Sequence, residues 1–277
     1  MNYSPKKMQE LLNNNNFGFK KKFGQNFIID ENIITNILDK SLIDKDTLVI
    51  EIGPGAGSLT YGLCSRAGHV LCYEIDETLK SVLDTTLKEF DNVDIIFKDF
   101  LKADVASDIS SYSYKKVYVV ANLPYYITTP IITKVIEDKL YVDKVVIMVQ
   151  KEVGTRFKAE PGSKDYNSLS IYLQYYFDIR KLMDVSRNVF LPSPNVDSIV
   201  IELARKDNLI TLKNEEFFFK LVKDSFVQKR KTLRNNLKGY NLDKIESILK
   251  KYGYDLSVRA EMLKIEVFAD IANNYDE

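Results

Sequence analysis

Four consecutive residues, Asn122, Leu123, Pro124 and Tyr125, close the apolar run in VYVVANLPYYITTP (117–130). An amide, a proline and, with Tyr126, two phenols are an odd way to end a strand, and they suit one kind of chemistry. The side-chain oxygen of Asn122 and a backbone carbonyl beside the proline are two acceptors that one exocyclic amine can satisfy. An aromatic amine is a poor nucleophile because its lone pair is delocalised into the ring. Two acceptors gripping its hydrogens favour a pyramidal nitrogen with a localised lone pair. Pro124 fixes one φ and so holds the carbonyl direction. Tyr125 offers a flat face on which a base can stack, worth about 1–3 kcal/mol. The plainer reading is a tight turn over buried aromatics, but four residue types must then coincide by chance at one strand end.

Upstream, EIGPGAGSLT (51–60) is a glycine-rich turn between a strand and a helix. Glycines there let the backbone turn tightly and approach a ligand. Ser58 stands where a G-x-G-x-x-G fingerprint wants its third glycine. Glu74, in CYEID, follows about twenty residues on and can accept from both hydroxyls of a ribose. Asp99, in FKDF, can accept from an adenine amino group. Gly53, Gly55, Glu74 and Asp99 thus outline an adenosine site across the ends of successive strands. NAD and S-adenosylmethionine both meet those contacts. The Asn-Leu-Pro-Tyr stretch favours the second, because its chemistry aims a nitrogen lone pair at an electrophilic methyl. A sulfonium is already an activated donor, so neither a strong base nor a metal is required. His69 is the one histidine, which disfavours a histidine base or a multi-histidine metal site. Phe190, opening the proline-stiffened FLPSPNV loop, is placed to clamp a flipped base from its second face.

These groups need a frame. Short apolar strands (47–53, 69–76, 93–99, 116–123 and 144–150) alternate with amphipathic segments, which predicts βαβ units and a mainly parallel sheet. The segments 177–185 and 197–205 read as a closing strand pair, and 168–176 as a helix. After Arg205 three helix-length segments with Gly or Asn punctuation predict a small all-helical domain. The expected organisation is a mobile basic arm over 1–22, an α/β domain over 23–205 and a helical domain over 206–277.

Composition sets the outer bounds. The 277 residues are 45% apolar and 28% charged, which allows a sizeable core. Balanced charge, 39 basic against 39 acidic residues, argues against a uniformly cationic coat but permits local patches. Two exist, at 17–27 and 228–239. In the second, Lys229, Arg230, Lys231 and Arg234 read as the continuation of a helix beginning near Glu215, a surface suited to tracking phosphates. Cys64 and Cys72 read as reduced, buried thiols. No membrane span and no secretion signal is visible, so a cytoplasmic location is expected.

Taken together, FGQNFIIDENII, EIGPGAGSLT, YEID, NLPYYIT, MVQKEV and FLPSPNVDS resemble the ribosomal RNA adenine dimethyltransferases in order and spacing. FVQKRKTLRNNL and VRAEML are similar to the bacterial small-subunit branch, the KsgA/RsmA family. The resemblance covers about residues 23–271. It implies a class I (Rossmann-like) S-adenosylmethionine-dependent methyltransferase domain with a small C-terminal all-helical domain. It also implies two methyl transfers to N6 of each of two adjacent adenosines near the 3′ end of 16S rRNA, in the small subunit or its precursor. Nothing in the sequence demands more than a monomer. By motif matching, Asn26, Ile28, Gly53, Glu74, Asp99 and Asn122 would touch the donor. Asn122 and the Leu123 carbonyl would grip the amine, with Tyr125 and Phe190 stacking on the base. Tyr126 stands where many members have Asn, and Asn195 where many have Lys, which removes a positive charge near the loop. The alternatives are a 23S rRNA adenine methyltransferase of the macrolide-resistance type, or an assembly checkpoint whose binding matters more than its catalysis.

Overall fold

The computed structural model describes residues 5–20, 24–123 and 127–275. The chain divides into two compact units, one of Met1–Gly154 with Arg180–Ala204, the other of Thr155–Ile179 with Arg205–Glu277.

The first unit opens with α1 (Pro5–Asn14), β1 (Phe27–Ile28) and α2 (Glu31–Ser41), the last capped by Asp30, whose side chain accepts from the Asn32 amide. There follow β2 (Thr47–Ile52), α3 (Ser58–Arg66), β3 (His69–Glu74), α4 (Lys80–Thr86), β4 (Val93–Phe97) and α5 (Val105–Ile109). The second half of the wind is β5 (Lys116–Asn122), α6 (Thr128–Glu137), β6 (Lys144–Gln150) and α7 (Lys151–Phe157). Then come α8 (Ser168–Tyr176), β7 (Phe177–Val185), β8 (Phe190–Leu191) and β9 (Ser198–Arg205). Seven strands form one sheet in the order β4-β3-β2-β5-β6-β9-β7. Neighbours from β4 to β6 are parallel, and β9 joins β6 antiparallel. All six residues of β2 are buried, as a central strand covered on both faces requires. The chain winds outward from β2 to β3 and β4, then returns to place β5 on the other side of β2. That reversal opens a crevice at the carboxyl ends of β2 and β5, the usual ligand site of such sheets.

The N-terminal segment departs from the expected mobile arm. Residues 5–14 are helical, and Met8 and Leu12 are buried in a cluster with Phe27, Leu79, Val82 and Leu83. The spacing Met8–Leu11–Leu12 gives one apolar edge, which the surrounding Asn and Lys residues obscure in the sequence. The Asn run ends the helix: Asn16 takes φ 52° and the Phe17 amide donates to the Leu12 carbonyl at 2.9 Å.

The second unit also departs from its expected boundary at 206. Its apolar cluster joins Ala159, Tyr166, Ile171 and Tyr175 to Phe218, Leu221, Val222, Leu249, Leu263 and Phe268. The segment 155–179 therefore belongs with the C-terminal helices, because its apolar side chains are buried among theirs. Those helices are α9 (Glu215–Ser225), α10 (Leu233–Asn236), α11 (Leu242–Lys251) and α12 (Ile265–Asn274). The basic run 229–231 lies in a turn instead of continuing α9. The Asn236 amide donates to the carbonyls of Ser225 at 2.6 Å and Gln228 at 3.3 Å, and its oxygen accepts from the Gln228 N–H at 3.2 Å. One side chain thus closes the loop that follows the helix end. Among the described residues no helix is long and apolar enough to cross a membrane.

Candidate active site

A pocket of about 270 Å³ occupies the crevice. Its floor is the glycine turn between β2 and α3. Gly53 sits at φ 73° and donates its N–H to the Tyr73 carbonyl at 2.9 Å. Gly55, at φ 59°, admits no side chain: a Cβ there would lie 2.8 Å from the Phe27 ring.

Glu74, at the end of β3, is almost fully buried at the pocket wall. Its Oε1 accepts from the amides of Ile75 and Asp76, both at 2.9 Å, and its Oε2 accepts from the Gly55 amide at 3.1 Å. A carboxylate has about four acceptor sites, so one remains, on Oε2. The expectation that Glu74 takes both ribose hydroxyls is thereby narrowed to one directed bond in this geometry. Burial raises its pKa, against the pull of the three N–H donors. Asp99 caps the turn Phe100–Lys102, its Oδ1 accepting from the Leu101 amide at 3.0 Å. Asp99 lines the pocket as well.

Asn122 ends β5. Its Nδ2 donates to the Asn26 carbonyl at 2.9 Å. A carbonyl can only accept, so this contact fixes which end of the amide is which and leaves Oδ1 as the accepting end. Asn26 and Ile28, named from the sequence only through family resemblance, both line the pocket. Leu123 lines it as well. Tyr125, with Pro124 and Tyr126, lies outside the described residues. Phe190 borders the pocket but is 4% exposed, and β8 pairs with β1 in the register Phe27↔Leu191 and Ile28↔Phe190. It is a wall residue in a packed ladder and does not present two free faces.

Sequence reasoning passed over three groups. Ile75 and Leu101, 52% and 36% exposed, both line the pocket directly beyond the two acids. The signal was present in YEID and KDFL, where an apolar residue follows each strand-end acid closely. Gln25 and the buried Asp76 form a polar cluster with Lys20 beside the same wall. Glu51, inside the apolar β2, is fully buried and borders the pocket, with Cys72 Sγ 3.6 Å from its Oε2. Burial pushes its carboxyl up to about 8. Both cysteines are buried and free, and burial raises the Cys64 thiol to about 12.

In the second unit, Lys229 donates to the Lys164 carbonyl, and Arg234 stands 3.9 Å from Glu246. Lys229, Arg230 and Lys231 are exposed on the turn.

The sequence profile of the family described as ribosomal RNA adenine dimethylase matches residues 16–277. The chain belongs to the ribosomal RNA adenine dimethylase family. Relatives of this dimethylase in two Staphylococcus aureus strains, RF122 and JH9, are named ribosomal RNA small subunit methyltransferase A. Each is 48% identical over 97% of this chain and 93% of the relative. Among solved structures, a dimethyladenosine transferase from Plasmodium falciparum superposes with a TM-score of 0.73 at 24% identity, covering 88% of this chain and 95% of that one. The 23S rRNA methyltransferase ErmE gives 0.72 at 24% identity, with 91% and 100% covered. The dimethylase fold is accordingly the class I, Rossmann-like methyltransferase fold, as the sheet order indicates.

Glu51 gives the dimethylase a pH dependence whose sign follows from linkage. A folded-state value near 8 against an ordinary 4.5 means that the native state holds a proton the unfolded chain has released. Stability then falls as pH rises between those values. Glu51→Gln carries no titrating proton, so its melting temperature should gain steadily on the parent's from pH 5 to pH 8 in the absence of ligands. A constant difference across that range would show that Glu51 does not titrate there.

Proposed function

We propose that this chain, an RNA adenine dimethyltransferase, transfers methyl groups from S-adenosylmethionine to N6 of two adjacent adenosines near the 3′ end of 16S rRNA. The observation that carries the reading is the Asn122 amide, oriented by the Asn26 carbonyl so that its oxygen is the accepting end. It lines the same pocket as Glu74 and Asp99, which stand at or just beyond the ends of strands on the other side of β2.

The residues fit the donor. Glu74 keeps one acceptor site for a ribose hydroxyl, and Asp99 keeps one oxygen for an adenine amine. Ile75 and Leu101 stand exposed where a purine ring would cover them, and burial of such surface contributes about 25 cal/mol per Å². At Gly53 nothing lies within 4 Å of where a Cβ would sit, which leaves room there for the rest of the molecule. S-adenosylmethionine supplies a methyl group already activated by its sulfonium. The protein holds the target amine: Asn122 Oδ1 and the Leu123 carbonyl accept its two hydrogens and localise the nitrogen lone pair. The methylated amine releases one proton to solvent, one N–H remains for that grip, and rotation of the amine offers the lone pair again. Tyr125 stacks on the target base, and Phe190, through its pocket-facing edge, limits how deep the base can go. The geometry is one of positioning and asks for no strong base.

The helical unit holds the substrate by its backbone. Lys229, Arg230, Lys231 and Arg234 lie on or beside the basic turn and contact phosphates. The triple replacement of Lys229, Arg230 and Lys231 by Gln should weaken RNA binding and reduce the slope of log affinity against log salt by about two to three units. An unchanged slope would mark the turn as solvated surface only. In this reading the enzyme is a cytoplasmic monomer acting on the small subunit or its precursor.

Similarity in fold to a 23S rRNA enzyme gives the rival substrate. Incubation of purified small and large subunits with labelled donor, followed by mapping of modified nucleotides by mass spectrometry, decides between them. Dimethyladenosine at two adjacent positions of small-subunit RNA is the expected result. Label confined to large-subunit RNA would overturn the assignment.

A further inference from the structure

Asp76 is a carboxylate that the methyl-transfer reading does not use, and its surroundings give it a task. It follows β3 by two residues, its side chain is 2% exposed, and it does not line the pocket. Its Oδ1 accepts from Lys20 Nζ at 2.6 Å, from Thr78 Oγ1 at 2.6 Å and from the Thr78 amide at 3.2 Å. Its Oδ2 accepts from Gln25 Nε2 at 2.9 Å. The partners are bound to each other as well. The Lys20 amide donates to Gln25 Oε1 at 2.9 Å, and Lys20 Nζ donates to Thr78 Oγ1 at 2.8 Å. Burial works against ionisation of Asp76, but Lys20, Thr78 and Gln25 outweigh it and hold the carboxyl below its ordinary value. A buried carboxylate satisfied on every side is a firm anchor, and losing one partner leaves charge without compensation.

What it anchors is Lys20 and the segment 24–29, the strap. Residues 24–28 line the pocket, and the strap is tied at two further places. The Asn26 carbonyl accepts from Asn122 Nδ2, and Phe27 and Ile28 pair with Leu191 and Phe190. The Phe27 ring also fills the space above Gly55. One end of the strap is therefore held beside Glu74, whose Oε1 accepts from the Asp76 amide, and the middle sets the direction of the amide that grips the target.

We infer that Asp76 is a positioning residue: through Lys20 and Gln25 it fixes the strap whose Asn26 carbonyl orients Asn122, coupling donor retention to alignment of the target amine. The inference rests on the pocket being the donor site. The sequence does not single it out: Lys20 lies in what reads as a basic arm, and Asp76 closes the strand predicted over 69–76.

The test uses full-length protein and four single variants. Asp76→Asn removes the charge at constant shape and should raise the Kd for S-adenosylhomocysteine by about tenfold, measured by calorimetry. Its turnover at saturating donor should fall about fivefold. Lys20→Met should reproduce both changes, Lys20→Arg should stay near the parent, and the Asp76→Asn/Lys20→Met double variant should be no worse than the poorer single. Hydrogen exchange of donor-free protein supplies a readout independent of turnover: amides of 24–28 should exchange faster in Asp76→Asn while those of β2 and β5 stay protected. Glu74→Ala is the fourth variant and serves as control for the pocket. If Glu74→Ala binds donor product like the parent, the donor site lies elsewhere and the reading beneath the inference fails. If Glu74→Ala loses binding while Asp76→Asn and Lys20→Met bind, turn over and exchange like the parent, the positioning role alone is overturned. A lowered melting temperature with Kd, turnover and strap exchange unchanged would also overturn it, leaving Asp76 a stabilising residue only.

Discussion

Asn122→Ala should lower methyl transfer by at least about a hundredfold at saturating donor, the usual cost of removing one transition-state acceptor or donor from an organised site. The reason is geometric. The amide is held at one end by the Asn26 carbonyl, so in the proposed mechanism its oxygen would meet the target amine without having to reorganise. Alanine removes that acceptor and leaves the Asn26 carbonyl without this donor, a loss that falls on alignment more than on donor affinity. Single-turnover kinetics with excess donor isolate the chemical step from product release. Asn122→Asp sharpens the experiment. It retains accepting oxygens but turns one of them toward the Asn26 carbonyl, and two acceptors in contact repel. The aspartate should therefore remain well below the parent even though it preserves an oxygen facing the target. A fully active Asn122→Ala would remove the grip on the amine from the mechanism.

Glu74→Ala should raise the Kd for S-adenosylhomocysteine by about a hundredfold, because a buried carboxylate acceptor is lost and three backbone donors are left unsatisfied. Glu74→Gln is no milder substitute. Both carboxylate oxygens accept from main-chain N–H groups, so an amide placed there must turn its NH₂ against at least one of them. Protonation imposes a similar conflict, since an added O–H has no acceptor among those partners. Burial has raised the Glu74 pKa above the usual 4.5, so donor affinity should weaken as pH is lowered toward that range, before ordinary carboxylates titrate. Titration calorimetry as pH is lowered from neutrality reads the effect. An alanine variant that binds like the parent would take Glu74 out of the donor site.

The sheet was legible because its strands are short apolar runs bounded by Gly, Asp or Asn, and because the glycine turn marks where strand gives way to helix. The acids at successive strand ends were legible for the same reason: their register follows from the strand in which each sits. Other features left no such trace. β1 and β8 are two residues each, too short for any periodicity, and their partner is set by tertiary packing. The helix 5–14 was hidden by its Asn and Lys content, although three apolar residues at helical spacing are enough to bury one edge. The basic run after α9 looks helical by charge and spacing, and only the side chain of Asn236, eight residues beyond Gln228, turns it into a loop. Glu51 was passed over because an acid between valine, isoleucine and glycine reads as part of the strand, whereas its burial is what makes it titrate near neutrality.

The second unit is assembled from two stretches of chain, 155–179 and 205–277, that share one apolar cluster. During synthesis α8 leaves the ribosome well before the helices that will cover Ile171 and Tyr175, so those side chains wait for later segments to bury them. The same interleaving governs protein engineering: exchanging this unit between relatives means moving both stretches together. A cut made after Ala204 alone would strand an aromatic surface on one side and a helix bundle without its lid on the other.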